Sequence, residues 1–310
     1  MKRCPITYEE IGNDRQYSKR GLRLLSPKLE NLLPLPFTAQ EQRNEAMARA
    51  GKMSIQGVQT KLSALLRVKE QCFEIVDNNG LYILKTQSSL YPEIPENEAL
   101  TMSLAATIGL DVPVHGLVYA KDNSMTYFIK RFDRLPRNKK IAVEDFAQLS
   151  GFDRDTKYGS SMEQVAEIVS KFCTYPKIEF VKLLKLTLFN FLIGNEDMHL
   201  KNFSLISKNN IITLSPVYDL LNSTIAINQS IEEMALPIKG RKNNITRNNF
   251  LDYYGKQRLK LNEKIIDQIV KSIQVKLPLW HEMIKNSFLS EKMKKSYLAL
   301  LKKRQNQLCL

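Results

Sequence analysis

Asp197 and Asn202 lie in the run Gly194-Asn195-Glu196-Asp197-Met198-His199-Leu200-Lys201-Asn202. Their D-x-x-x-x-N spacing suits one chemical demand, transfer of a phosphoryl group from ATP. That reaction needs a carboxylate to orient the acceptor hydroxyl and take its proton, with oxygen ligands for Mg²⁺ close by. Asn202 opens Phe203-Ser204-Leu205-Ile206, a turn over 207–210 follows, and 211–214 returns toward Tyr218-Asp219. A hairpin brings its chain ends back to one place. Asn202 and Asp219 could therefore converge on one cation of the kind that keeps several waters and takes oxygen ligands. The spacing alone is common by chance; the apolar run before it and the aspartate after it supply context.

Lys85 ends the apolar stretch Leu81-Tyr82-Ile83-Leu84. A strand-end lysine can hold ATP's α- and β-phosphates when a glutamate on the next helix fixes it. Glu98, in a helical stretch over 95–109, is placed to be that glutamate. Upstream, Ser54-Ile55-Gln56-Gly57-Val58-Gln59-Thr60-Lys61 precedes a strand. It could lay backbone N–H groups against phosphates, with Lys61 adding charge; an ordinary strand-entry turn is the competing reading. It is not a Walker A sequence. His115, His199 and His281 have no metal-cluster spacing, and His199 is read as structural within its loop. Neither a G-x-S-x-G elbow nor a G-x-G-x-x-G fingerprint is present, which weighs against hydrolase and dinucleotide readings.

These residues need elements to position them. Apolar runs over 61–68, 72–76, 81–85, 114–120 and 125–133 predict strands. A helix over 38–50 precedes them, and the first fifty residues read as otherwise loosely organised. Past about 135 the pattern turns helical. Ser160 and Glu163 carry a capping-box signature for a helix over 162–172. An apolar helix over 180–193 leads into the Asp197 loop, and amphipathic helices fill the tail from about 261. The expected fold is α+β and two-lobed, like a protein kinase. Residues 1–134 form a small β-rich lobe and 135–310 a larger helical one.

The net charge of +14 gathers in part around Lys285, Lys292, Lys294, Lys295, Lys302, Lys303 and Arg304. It reads as a solvated face ahead of a polyanion site. Four scattered cysteines, a polar N-terminus and a longest apolar run broken by Lys182, Lys185 and Asn190 predict a reducing, cytoplasmic setting with no membrane span.

Taken together, the segments resemble the HipA family of bacterial toxin kinases. The matching pieces, in family order, are SIQGVQTK, LYILK, ENEAL, FIKRFDR, VEDFAQLSG, KYGSS, GNEDMHLKNFSL, PVYDL and MALPIKG. The resemblance implies that Asp197 orients and deprotonates an acceptor serine and that Asn202 and Asp219 hold Mg²⁺. It implies that Lys85 meets the ATP phosphates and that the backbone of Lys130, Arg131 and Phe132 reads the adenine. Gln56, Gly57, Val58, Gln59, Thr60 and Lys61 would form the phosphate-facing loop. His199, Leu200, Lys201 and Tyr218 are counted with the nucleotide site. Ser54 corresponds to the loop serine that relatives autophosphorylate; a phosphate there would repel ATP's own and inhibit.

Long family members place a further subdomain ahead of the glycine loop, where this sequence has about fifty residues. It is similar in this to the shorter HipT type. The resemblance therefore implies a small antitoxin like the missing piece, a helix-turn-helix DNA-binding antitoxin through which DNA is met indirectly, and an aminoacyl-tRNA synthetase as substrate. Two alternatives stay open: a small-molecule phosphotransferase of related fold, and a non-catalytic component of a DNA-bound repressor complex.

Overall fold

The computed structural model describes residues 2–49, 60–137, 139–151, 159–227 and 232–310. The chain forms two compact units. The first comprises residues 1–100, 113–140 and 285–290; the second comprises 101–112, 141–284 and 291–310.

The first unit begins with the two-residue strands β1 (Lys2–Arg3) and β2 (Glu10–Ile11), followed by α1 (Lys19–Leu25) and α2 (Ala39–Arg49). Next come β3 (Lys61–Arg67), β4 (Cys72–Ile75), β5 (Tyr82–Lys85), α3 (Ile94–Thr107), β6 (His115–Tyr119) and β7 (Met125–Lys130). Residues of α3 up to Leu100 belong to this unit. Strands β3 to β7 make one five-stranded antiparallel sheet in the order β4-β3-β5-β7-β6.

Side chains alternate across a strand, so the sheet has two distinct faces. Leu62, Ala64, Tyr82, Leu84 and Phe128 join one buried core with Cys4, Ile6, Tyr17, Leu22, Leu25, Leu29, Leu32 and Leu35. The N-terminal residues are therefore not loosely organised, as the sequence suggested, but packed against the sheet. Their apolar residues have no clean period because most sit in turns and short helices. Ser18 caps α1 by accepting from the Gly21 amide at 2.9 Å.

The second unit contains β8 (Ala142–Asp145), α4 (Phe146–Leu149), α5 (Met162–Phe172), α6 (Pro176–Ile193), β9 (Ser204–Lys208), β10 (Ile211–Leu214) and α7 (Ser223–Ile227). A π-helical stretch, Asn249–Arg258, precedes α8 (Glu263–Gln274), α9 (Leu277–Lys285) and α10 (Glu291–Leu308). Helix α6 starts with Pro176 in its first turn, where a missing N–H costs nothing, and buries nearly its whole length from Leu183 to Ile193. The expected β9–β10 hairpin forms, and β8 adds a third strand to it, in the order β10-β9-β8. The cap of α5 differs from expectation. Ser161, not Ser160, accepts from the Gln164 amide, while Glu163 accepts the amide of Lys239 at 2.8 Å.

Among the described residues, no helix is long and apolar enough to cross a membrane.

Candidate active site

In the first unit, Lys85 and Glu98 meet. Lys85 ends β5, where its side chain is 5 % exposed, and its Nζ lies 2.5 Å from Glu98 Oε1, whose side chain is 2 % exposed. The Tyr127 ring centroid lies 5.5 Å from the ammonium. In the register, Lys85 stands directly opposite both Lys61 on β3 and Tyr127 on β7. Directly opposed residues share a face, and like charges so placed repel. Lys61 and Lys85 thus stand in one row, with the Glu98 carboxylate against Lys85.

Beside them, Thr60 Oγ1 and Thr86 Oγ1 are 2.8 Å apart. Gln87 Nε2 donates to both carboxylate oxygens of Glu96, at 2.7 and 2.9 Å, and to Met125 O at 3.0 Å. Burial of Glu96 pushes its carboxyl up to about 7, and the Gln87 bonds pull the other way. Residues Ser54, Gln56, Gly57, Val58 and Gln59 lie outside the described residues.

Lys130 and Arg131 carry amides already used in the fold, donating to Val114 O and Leu81 O, each at 2.8 Å. Neither N–H is a donor for a base. The Arg131 guanidinium holds Asp133 at 2.9 and 2.7 Å, and Arg134 joins it at 2.6 Å. Burial works to raise the Asp133 carboxyl, but these arginines hold it below its ordinary range. Phe132 is half-buried.

In the second unit, Gly194 ends α6 in the left-handed region with φ 70°. A Cβ there would strike Leu300 and come within 2.7 Å of Thr224 Oγ1. Glycine is required both for the turn and for the space. The chain then forms a tight loop. His199 N donates to Asp197 O at 2.8 Å, and Asn202 Nδ2 donates to the same carbonyl at 2.9 Å. With its nitrogen so engaged, Asn202 has its amide oxygen oriented, the atom a cation would take. The Asp197 carboxylate is half exposed, as an acceptor substrate would require, with Oδ1 at 3.8 Å from His199 Nε2. His199 itself is buried. Leu200, Lys201 and Asn202 form one 3-10 turn.

Tyr218 ties the next segment to that turn. Its hydroxyl donates to Lys201 O at 2.9 Å and lies 2.5 Å from Ser204 Oγ. Burial raises its phenol strongly, and the nearby carboxylates of Asp219 and Asp145 raise it further. Asp219 follows with φ 54°, a conformation aspartate adopts more readily than most residues. Tyr218 thus ties the segment just before Asp219 to the Asn202 turn.

Among the described residues, no group of three or more His, Cys, Asp or Glu is placed to hold a metal unaided. Mg²⁺ commonly takes one or two protein carboxylates and completes its shell with phosphates and waters. Asn202 and Asp219 suit that mode. A cavity of about 130 Å³ beside Asn202, lined also by Lys185, Leu214 and Val217, is too small for a nucleotide.

Sequence reasoning missed three supports. Asp145 caps α4 by accepting the Gln148 amide at 2.9 Å and pairs in register with Ser204. Its D-x-x-Q spacing was a legible capping signal. Ser223 and Thr224 clasp the loop: Glu196 N donates to Ser223 Oγ at 2.7 Å, and Thr224 Oγ1 lies 2.9 Å from Gly194 O. Arg304, expected on a solvated face, is 3 % exposed.

Residues 53–278 match the model of the HipA-like C-terminal domain. This chain belongs to that family. A protein of Haemophilus influenzae, named provisionally as a kinase, is 32 % identical over 250 residues, covering 73 % of this chain and 69 % of that protein. The chain spans under half the length of three further curated relatives that it matches. Among solved structures, the Shewanella oneidensis HipA, HipB and operator DNA complex matches with TM-score 0.68 and 22 % identity, over 91 % of this chain and 74 % of that one. The Helicobacter pylori proinflammatory kinase CtkA matches with TM-score 0.55 and 18 % identity, over 82 % and 91 %. The fold is thus the mixed α+β arrangement of a curled sheet and a helical region found in these HipA-like and kinase-like structures.

Proposed function

We propose that this HipA-family chain is an ATP- and Mg²⁺-dependent serine/threonine protein kinase of the two-lobed kind, acting as the toxin of a toxin–antitoxin system. The observation that carries the reading is the closed loop in which Asn202 bonds the Asp197 carbonyl while the Asp197 carboxylate stays accessible. Asp197 orients the acceptor serine and takes its proton. Lys85, held by Glu98, and Lys61 meet the nucleotide phosphates. Asn202 and Asp219 are the metal ligands. When bound, Mg²⁺ offsets the charge that develops on the transferring phosphoryl group.

The family resemblance extends the proposal. The substrate is a serine of an aminoacyl-tRNA synthetase, so that phosphorylation halts translation in the cytoplasm. Autophosphorylation at Ser54 turns the enzyme off. Its partners are a small antitoxin and a helix-turn-helix antitoxin that brings it to DNA; the match to a HipA, HipB and operator DNA complex supports a partner of this general kind.

Incubation with ATP and Mg²⁺, followed by intact-mass measurement, tests the reading. The chain should gain one phosphate, and Ser54→Ala should remove most of it. Transfer to a sugar or aminoglycoside with no protein acceptor would instead establish a small-molecule phosphotransferase.

A further inference from the structure

Arg304 stands in a basic stretch of α10 whose Lys302 and Lys303 are exposed, yet it is buried. Its guanidinium lies 4.5 Å from the centroid of the Phe191 ring, in the last turn of α6. It pairs with Glu233 and comes within 4.0 Å of Glu196 Oε1. Glu196 precedes Asp197, and its Oε1 lies 2.5 Å from Thr224 Oγ1. Glu233 is held in turn by Gln307 Nε2, 3.1 Å from each carboxylate oxygen, and by the Ile245 amide at 3.0 Å. Arg304 lies beyond residues 53–278 that match the family model.

Two carboxylates in one partly desolvated place repel unless a cation stands between them. A guanidinium can meet both while its flat face rests on an aromatic ring, which an ammonium cannot reproduce. We infer that Arg304 is a positioning residue for the catalytic loop. By neutralising Glu196 and Glu233 together over Phe191, it fixes residues 194–197 and with them the carboxylate of Asp197. The Leu300 side chain, against which a Cβ on Gly194 would collide, packs on the same loop from the same helix. The catalytic part of this inference rests on the kinase reading; the loop-fixing part does not.

The experiment compares full-length wild type with Arg304→Met, Arg304→Lys and, as a control on the exposed face of the same helix, Lys302→Met. Autophosphorylation kinetics and peptide-resolved hydrogen exchange are measured on each. Arg304→Met should lower the maximal autophosphorylation rate constant tenfold or more, with the ATP concentration at half-maximal rate changed less than twofold. It should also speed exchange in peptides covering 194–199 while leaving peptides of β3 to β5 unchanged. Arg304→Lys should show a smaller change of the same kind, and it decides the matter if Arg304→Met does not fold. Lys302→Met should resemble wild type. An unchanged autophosphorylation rate constant and unchanged exchange in the Arg304 variants would overturn the inference, and so would faster exchange throughout the chain. If wild type transfers no phosphate, the kinase reading fails, and the exchange comparison still decides whether Arg304 fixes the loop.

Discussion

Lys85 Nζ lies 2.5 Å from Glu98 Oε1, and both side chains are almost wholly removed from water. The pair joins the end of β5 to α3 and leaves the lysine in one row with Lys61. A buried pair of this kind gains little net stability over apolar residues, because desolvation of two charges offsets their attraction. Its position is therefore better explained by what the lysine does than by what the pair contributes to folding.

Lys85→Met alone should destabilise the protein by about 3–5 kcal/mol, since it strands a buried carboxylate. Lys85→Met combined with Glu98→Leu should cost clearly less than Lys85→Met. Urea unfolding of wild type, Lys85→Met, Glu98→Leu and the double variant gives the comparison, and a double-variant cost equal to the sum of the single ones would rule out this account of the pair.

Glu96 predicts a pH dependence. Its carboxyl is raised by burial from an ordinary value of 4.5 to about 7. A carboxyl raised on folding holds its proton more tightly in the folded state. Its favourable contribution is fully present below about pH 4.5 and is lost as pH rises through about 7. Glu96→Gln, which stays neutral and can still accept from Gln87, should flatten the fall in Tm between pH 5 and pH 8. Parallel Tm profiles for the two proteins would contradict this.

At Gly194 the backbone requirement and the lack of space coincide. Placing alanine in the left-handed region costs about 1–2 kcal/mol, and contact with Leu300 and Thr224 adds to that. Gly194→Ala should lower the unfolding free energy measured in urea by at least that much. Gly151→Ala, also at positive φ but with open space around its Cβ, should lower it less.

The sequence made the chemistry more legible than its supports. The D-x-x-x-x-N spacing, the strand ending in Lys85 and the helix carrying Glu98 are local patterns with periods that can be read directly. Strand β8 was missed because four residues alternating on a helix-rich background carry little signal, and they become a strand only by pairing with β9. From sequence, Arg304 reads with the solvated lysines because its neighbours Lys302 and Lys303 set the character of the stretch. Its burial follows from Glu233 and Phe191, remote in sequence. The cap of α5 moved from Ser160 to Ser161 because adjacent serines offer equal local chemistry and tertiary contacts choose between them.

The proposed phosphate transfer depends most on the Asp197 carboxylate. The decisive measurement is the rate of phosphate transfer from ATP by Asp197→Asn against wild type, with ATP affinity and Tm recorded on the same preparations. A positioned general base contributes about 10²–10⁴-fold. The rate should therefore fall by that factor while affinity and Tm stay near wild type. Transfer at an undiminished rate by a folded Asp197→Asn protein would contradict the account.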